Sequence, residues 1–329
     1  VLILTPKGLY CPAGHFHIDP KGAVDRAVIT HAHSDHARRG AKKYYCVSSG
    51  VELLKMRVGK NIDVESHDFG EKFTIGGVTL SFHPAGHILG SSQVRIEHQE
   101  TVWVASGDYK RDPDPTCEPF ESVKCDVFVT EATFGTPSYT WPKDLDVGGE
   151  IIEWWKTNAA RGVNSILFAY SLGKAQRVLG LLHGRALKPV ICHSAVIETN
   201  THYADQGIKL AETRDVTDIP KTTRLTGELL LVPQSFLSSP HARIVGDNYE
   251  TAFASGWMAK RQMSYDKGFV LSDHADWNDL VKTITETGAK TVYVQHRNGA
   301  LVRHLKTLGI RAFPEDALIA EPSDQLILF

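Results

Sequence analysis

The segment His31-Ala32-His33-Ser34-Asp35-His36 places four potential metal ligands within six positions, directly after the apolar stretch Ala27-Val28-Ile29-Thr30. A chain with this string must fold so that an extended segment ends in a turn where imidazoles and a carboxylate converge. His31 and His33 are two residues apart, so at a strand end their side chains project to one face and can share an ion. Asp35 and His36 are adjacent and aim elsewhere once the chain bends, so one short loop can serve two ions. Imidazole nitrogens and carboxylate oxygens with no thiolate nearby suit zinc first, and are also compatible with manganese or iron. A single His is ordinarily a core or surface residue, whereas a cluster of this density points to a metal site.

Further candidate ligands close other strand-like stretches. His87, in Pro84-Ala85-Gly86-His87, follows the alternating run Val78-Thr79-Leu80-Ser81-Phe82. Asp108 ends Val102-Trp103-Val104-Ala105-Ser106-Gly107, and His296 ends Thr291-Val292-Tyr293-Val294-Gln295. Loops at the strand ends of a rigid sheet are common sources of active-site groups, which makes convergence of these three plausible. The simpler reading of Asp108 is a turn residue after Gly107.

The texture of the chain changes along its length. Residues 1–140 alternate short strands with turns, including a hairpin over 73–80 around Gly76-Gly77. From 141 the pattern becomes βα, with helices predicted at 150–160 and 174–183 and strands at 165–168 and 189–192. Further βα pairs follow: a strand at 269–271 with a helix at 279–287, then a strand at 291–294 with a helix at 301–308. The expectation is an α/β protein with a first part at 1–140, an inserted α/β domain at 141–267 and a return segment at 268–329. The cleft between the domains is the expected substrate channel.

In this order the motifs resemble those of the metallo-β-lactamase fold, in which a His-x-His-x-Asp-His loop is followed by a later His, a bridging Asp and a final His. The resemblance implies an αββα sandwich holding two divalent metal ions. His31, His33 and His87 would hold one, Asp35, His36 and His296 the other, and Asp108 would bridge them. Asp19, in Phe16-His17-Ile18-Asp19, matches the family's first motif; its expected role is to hold the outer N–H of a ligating imidazole rather than to ligate.

Val129-Thr130-Glu131-Ala132-Thr133-Phe134-Gly135, Leu271-Ser272-Asp273-His274-Ala275-Asp276 and Val294-Gln295-His296 resemble the three additional motifs of the β-CASP nucleases. The stretch Phe168-Ala169-Tyr170-Ser171-Leu172-Gly173-Lys174-Ala175-Gln176-Arg177 is similar to the segment that opens their inserted domain. With Pro84-Ala85-Gly86-His87 and Ser106-Gly107-Asp108-Tyr109-Lys110-Arg111, it extends the likeness over nearly the whole chain to the bacterial ligase-associated DNA exonuclease family, relatives of the DNA cross-link repair nucleases. His296 matches the RNA-cleaving relatives, whereas the cross-link repair enzymes carry Val there. His87-Ile88-Leu89-Gly90-Ser91 resembles the messenger-RNA 3′-end endonucleases, so an RNA-processing nuclease stays open as the alternative.

The implied activity is a two-metal-dependent DNA exonuclease running 5′ to 3′ on single-stranded or end-containing DNA, in repair with a ligase system. Two ions would lower the pKa of water and neutralise charge developing on the phosphodiester. His274, matching the family's general acid, would protonate the leaving oxygen. Glu131 would orient it and favour its protonated form, and Asp108 completes the catalytic set. Ser171, Gly173 and Lys174 form a predicted phosphate clamp, because a strand entering a helix there exposes backbone N–H groups and Lys174 adds charge. Trp141 and Trp154-Trp155 are candidates for base stacking, with at least one of the adjacent pair expected in the core. A non-catalytic scaffold fits poorly with a complete ligand set, and a small-ester hydrolase leaves the insertion without a purpose.

Composition sets looser bounds. A chain of 329 residues with 42% hydrophobic content can fill two domain cores. The net charge of −2 supplies no global field for nucleic acid, so binding would use local patches such as Arg38-Arg39 with Lys42-Lys43, or Lys110-Arg111. Five Cys without a CxxC pair point to reduced thiols. With no visible signal peptide and no run of about 18 apolar residues, the expectation is a soluble cytoplasmic protein with no membrane partner.

Overall fold

The computed structural model describes residues 1–260, 264–296 and 299–319. The chain divides into two compact units. The first comprises Val1–Arg111, Glu118–Ser138 and the chain from His274 onward; the second comprises Asp112–Cys117 and Tyr139–Asp273.

The first unit opens with β1 (Ile3–Thr5), β2 (Gly8–Cys11), β3 (Phe16–Ile18), β4 (Val24–Val28), β5 (Ala41–Val47), α1 (Val51–Val58) and β6 (Val64–His67). These strands form one sheet in sequence order, antiparallel from β1 to β3 and parallel from β3 to β6. A second sheet starts with β7 (Phe73–Ile75), β8 (Val78–Pro84), β9 (Ser92–His98), β10 (Thr101–Ala105) and β11 (Val127–Thr130). Gly76 and Gly77, at φ 57° and 82°, supply the left-handed backbone that the two-residue β7–β8 loop requires.

The chain then builds the second unit from α2 (Val147–Ala160), β12 (Asn164–Phe168), α3 (Lys174–Leu182), β13 (Val190–Cys192), α4 (Ser194–Asp205), β14 (Thr213–Asp215), β15 (Leu229–Val232), β16 (Tyr249–Ala254) and β17 (Lys267–Phe269). It returns to the first through α5 (Trp277–Thr287), β18 (Thr291–Val294), α6 (Gly299–Thr307) and β19 (Arg311–Pro314). The last two strands join β11 in parallel and complete the second sheet in the order β19-β18-β11-β10-β9-β8-β7.

Period-two alternation decides which side chains fill which layer of the first unit. Val28, Tyr45 and Val47 of one sheet pack with Phe82, Val94, Trp103 and Val129 of the other, forming the core between the sheets. Their neighbours Ala27, Tyr44 and Cys46 face the opposite way and pack with Leu54 and Val58 of α1. On the far side of the second sheet, Val104, Phe128 and Val292 pack with Leu280, Ile284, Leu301 and Leu305 of α5 and α6. Both sheets are thus covered on two faces. Asp276 starts α5 by accepting a hydrogen bond from Asp279 N at 2.9 Å.

The second unit contains a parallel sheet in the order β14-β13-β15-β12-β16-β17. Its strand Leu229-Leu230-Leu231-Val232 is buried at every position, as a strand with both faces covered must be. One expectation changes here. The strand expected at 269–271 is Lys267–Phe269, and it pairs with β16 of the second unit. By its contacts the second unit runs on to Asp273 and takes in the short excursion Asp112–Cys117. Trp141, Trp154 and Trp155 are all buried, Trp155 donating to Gly227 O at 3.1 Å and Trp154 to Glu250 Oε2 at 3.1 Å. They are core residues, so base stacking on them is ruled out. Among the described residues no helix is long and apolar enough to cross a membrane. Trp155→Ala is expected to destabilise the second unit by about 3–5 kcal/mol in urea unfolding; a loss below about 1 kcal/mol would contradict its place at the centre of that core.

Candidate metal centre

The ligand loop leaves β4 under tight local control. Asp19, just past β3 and in the left-handed backbone region at φ 45°, accepts from Thr30 N (2.8 Å) and Thr30 Oγ1 (2.6 Å), and its Oδ2 lies 2.7 Å from His36 Nδ1. The Thr30 hydroxyl is also 3.1 Å from His31 Nδ1. Ser92 N holds Thr30 O at 2.9 Å, tying the loop to β9 of the facing sheet. After His33 the chain turns, with His36 N and Ala37 N both donating to His33 O.

Two glycines allow the other ligand loops to approach. Gly107, at φ 55°, lies against Thr30, where an added Cβ would meet the Thr30 Cβ at 2.7 Å. Gly86, at φ 71°, would place a Cβ 2.4 Å from Lys110 O. Any side chain at either position pushes Asp108 or His87 away from the loop after β4. His87 is fixed further by Ser91 Oγ, which accepts from His87 N (3.0 Å) and Ile88 N (3.2 Å).

The result is a compact donor group. One donor atom from each of His31, His33, His87 and Asp108 lies within 4.8 Å of every other. His33 Nδ1 is 3.1 Å from both His31 Nε2 and His87 Nε2, while Asp108 Oδ2 is 3.7 Å from His31 Nε2 and 3.9 Å from His87 Nε2. One ring nitrogen offers either a proton or a lone pair, so His33 Nδ1 serves two such neighbours poorly; a cation shared among three lone pairs serves all of them. The 3.1 Å spacing is close to the edge of a tetrahedron with metal–nitrogen bonds of about 2.0 Å, roughly 3.3 Å. The donor set therefore fits a divalent metal.

Charge is divided unequally among these groups. Burial, reinforced by the imidazoles of His36, His87 and His33, holds the His31 pKa well below its usual value, keeping the ring neutral. Burial also opposes charge on His36, but the Asp108 and Asp19 carboxylates prevail and hold it well above the usual value. For Asp108 burial favours the neutral acid, yet His36 and His274 hold its pKa well below the carboxylate range.

The second expected ligand set is less closely gathered. His36 Nε2 lies 3.4 Å from Asp108 Oδ2 and 3.8 Å from Asp35 Oδ2. Asp35, His36 and the exposed His296 line one cavity of about 520 Å³, together with Lys21 and Arg38. They do not form a group of donors mutually within 4.8 Å among the described residues. The Asp35 side chain is 71% exposed and His296 stands on the turn after β18, so packing does not fix either.

A second cluster shares Asp108. His274 Nδ1 is 2.9 Å from Glu131 Oε2, 3.2 Å from Glu131 Oε1 and 4.0 Å from Asp108 Oδ2. Glu131 is wholly buried at the end of β11 and accepts from Tyr109 N (2.6 Å) and Thr133 Oγ1 (2.7 Å). Those two donors and Thr30 were not identified from sequence. The available signal was position alone: each adjoins or lies two residues from a predicted site residue.

The expected phosphate clamp is organised otherwise. Gly173 N donates to Gln176 Oε1 at 2.8 Å. Lys174 is only 3% exposed, with its ammonium 2.8 Å from Asp273 Oδ1 and hydrogen-bonded to Leu271 O. Ser171 is half-buried, and its carbonyl accepts from Gln176 Nε2. Gly173 N and the Lys174 ammonium, two of the donors predicted to meet a phosphate, are thus engaged within the chain, which changes the reading of Gly173 and Lys174. Part of the basic patches is similarly committed: Lys110 is buried, Arg111 pairs with Glu286, Lys42 with Asp25 and Lys43 with Glu65, while Arg38 lines the cavity beside Asp35 and His36.

No family model matches the chain. It is 30% identical over 297 residues to the "Probable DNA ligase" of Opitutus terrae, covering 88% of this chain and 28% of that protein. It is 25% identical over 191 residues to the "RNase J-like protein" of Methanocaldococcus jannaschii, covering 50% of this chain and 45% of that one. The chain thus spans less than half the length of either curated relative. A crystal structure of a protein of unknown function from Enterococcus faecalis V583 shares the fold with a TM-score of 0.54 at 13% identity, over 82% of this chain and 74% of that one. With the motif order and donor group described above, these relatives place the chain in the β-CASP branch of the metallo-β-lactamase-fold nucleases.

Replacing Asp19 by Ala removes the acceptor that holds Thr30 and His36. Competition with a chromogenic chelator is expected to show metal affinity lowered about 10–100-fold; unchanged affinity would refute the supporting role of Asp19.

Proposed function

We propose that the chain is a two-metal-dependent phosphodiesterase, a DNA exonuclease running 5′ to 3′ that acts in cytoplasmic DNA repair with a ligase. In this reading the first unit is the αββα metallo-β-lactamase sandwich and the second the inserted β-CASP domain. The observation that carries it is the position of Asp108, whose one carboxylate adjoins both the three-imidazole group and the His274–Glu131 pair. The choice of DNA is supported by the relative named "Probable DNA ligase", aligned over 88% of the chain.

His31, His33 and His87 with Asp108 would hold one ion, zinc by donor chemistry; Asp35, His36 and His296 would hold the other with the same carboxylate. Bound there, divalent ions supply Lewis acidity and an activated water. The chain's own part is to orient and protonate. Glu131 engages Nδ1 of His274, which leaves Nε2 to carry the proton to the departing oxygen. Tyr109 N and Thr133 Oγ1 keep the Glu131 carboxylate from turning away. Lys21 and Arg38, lining the cavity beside Asp35 and His36, would meet the phosphate backbone.

A second reading, an RNA-processing nuclease, is favoured by His296, which lines that cavity, and by the relative named "RNase J-like protein". Matched DNA and RNA single strands, labelled at either end and with or without a 5′ phosphate, separate the two, with Asp108→Ala as control. DNA shortened stepwise from its 5′ end with RNA spared is the expected result. Preferential or internal RNA cleavage would move the assignment to RNA processing, and no metal-dependent cleavage of either would overturn both. His274→Ala is expected to lower turnover by about 10²–10⁴-fold with metal content retained; a rate equal to that of the wild type would remove His274 from the proton-donor role.

A further inference from the structure

Helix α3 begins in an unusual way for a nine-residue helix: the long polar side chains of its first turn, Lys174, Gln176 and Arg177, are all buried. A lysine at the first helical position also faces the positive end of the helix dipole, where a cation is disfavoured. Something must offset both costs. Lys174 and Arg177, three residues apart, project from one face of the helix. Both reach the same short piece of chain.

The Lys174 ammonium donates to Leu271 O and lies 2.8 Å from Asp273 Oδ1. Arg177 donates to Ser272 O and lies 3.4 Å from Asp273 Oδ1, and its Nε is 3.4 Å from Asp114 Oδ2, an ion-pair distance without a hydrogen bond. Two cations thereby take two consecutive carbonyls and the next carboxylate, Leu271 to Asp273. The residue that follows is His274. Gln176 stiffens the clamp from the other side, bonding Gly173 N, Ser171 O and Asn200 Oδ1.

We infer that Lys174 and Arg177 are positioning residues for the proton donor: by fixing the backbone of Leu271–Asp273 they set where the main chain of His274 begins, and so where its ring can deliver a proton. The inference rests on the reading of His274 as general acid given above. It assigns Lys174 a task inside the protein in place of contact with substrate.

The test uses the full, metal-loaded chain on two substrates: an oligonucleotide that the wild type cleaves, and bis(4-nitrophenyl) phosphate, whose leaving group departs as a stable anion without a proton. Lys174→Met is expected to lower oligonucleotide turnover about 10²-fold with KM unchanged, while hydrolysis of the nitrophenyl ester and metal content stay at wild-type levels. Because the single change strands a buried carboxylate, Lys174→Met/Asp273→Asn is measured beside it, with both charges of the pair removed, and the same split is expected. His274→Ala is the reference. If His274→Ala is selective for the oligonucleotide but the Lys174 variants lose both activities equally, the positioning role is overturned. A raised KM with turnover intact would make Lys174 a phosphate ligand and likewise overturn it. Equal loss of both activities in His274→Ala would strike the proton-donor assignment itself, and the inference with it.

Discussion

The site depends first on the carboxylate of Asp19. Three imidazoles with ring nitrogens 3.1 Å apart do not gather on their own, because their lone pairs repel and their burial removes water that would otherwise solvate them. A frame assembled beforehand must hold them. Asp19 provides its centre by gripping both ends of the loop, at Thr30 and at His36, with two oxygens. Its left-handed backbone lets the chain turn out of β3 with the carboxylate beneath the exit of β4. The hold of Ser92 on Thr30 O and the close approach of Gly107 then register the second sheet against the same residue.

From that frame follows a division of labour between two buried carboxylates. Asp108 is surrounded by imidazoles and stays ionised because of them. Glu131 is surrounded by a backbone N–H and a hydroxyl, and directs what remains of its capacity at a single ring. The same residue type therefore serves as a shared anionic anchor in one case and as an orienting acceptor in the other, with the neighbours making the difference. His31 and His36 are contrasted in the same manner, one kept neutral by burial among its own kind and the other drawn toward charge by two carboxylates.

Legibility from sequence followed locality. The His31–His36 loop, the Gly76-Gly77 hairpin and the α/β texture depend on neighbours in the chain, and they could be read. Of the donor group, His31, His87 and Asp108 each follow a strand-like run in the sequence, and His33 stands two positions after His31. What could not be read depends on partners distant in sequence. Lys174 has the local surroundings of an anion site, yet Asp273, 99 positions away, engages its ammonium. The strand Lys267–Phe269 starts ahead of the apolar run Phe269-Val270-Leu271 that marks it in the sequence, because pairing with β16 sets its position. Trp154 and Trp155, adjacent on one helix, are both core because the indole N–H groups find Glu250 and a carbonyl in neighbouring segments.

Every member of the two donor clusters belongs to the first unit. Ions that bind only the folded form stabilise it by mass action, so the benefit falls on that unit alone, while the second rests on its parallel sheet and buried tryptophans. Chelation should therefore melt the molecule unevenly, and a single transition temperature would not describe it. In a cell short of metal, such a chain would lose stability in the unit that carries its donors, while the other unit would gain or lose nothing from the ions.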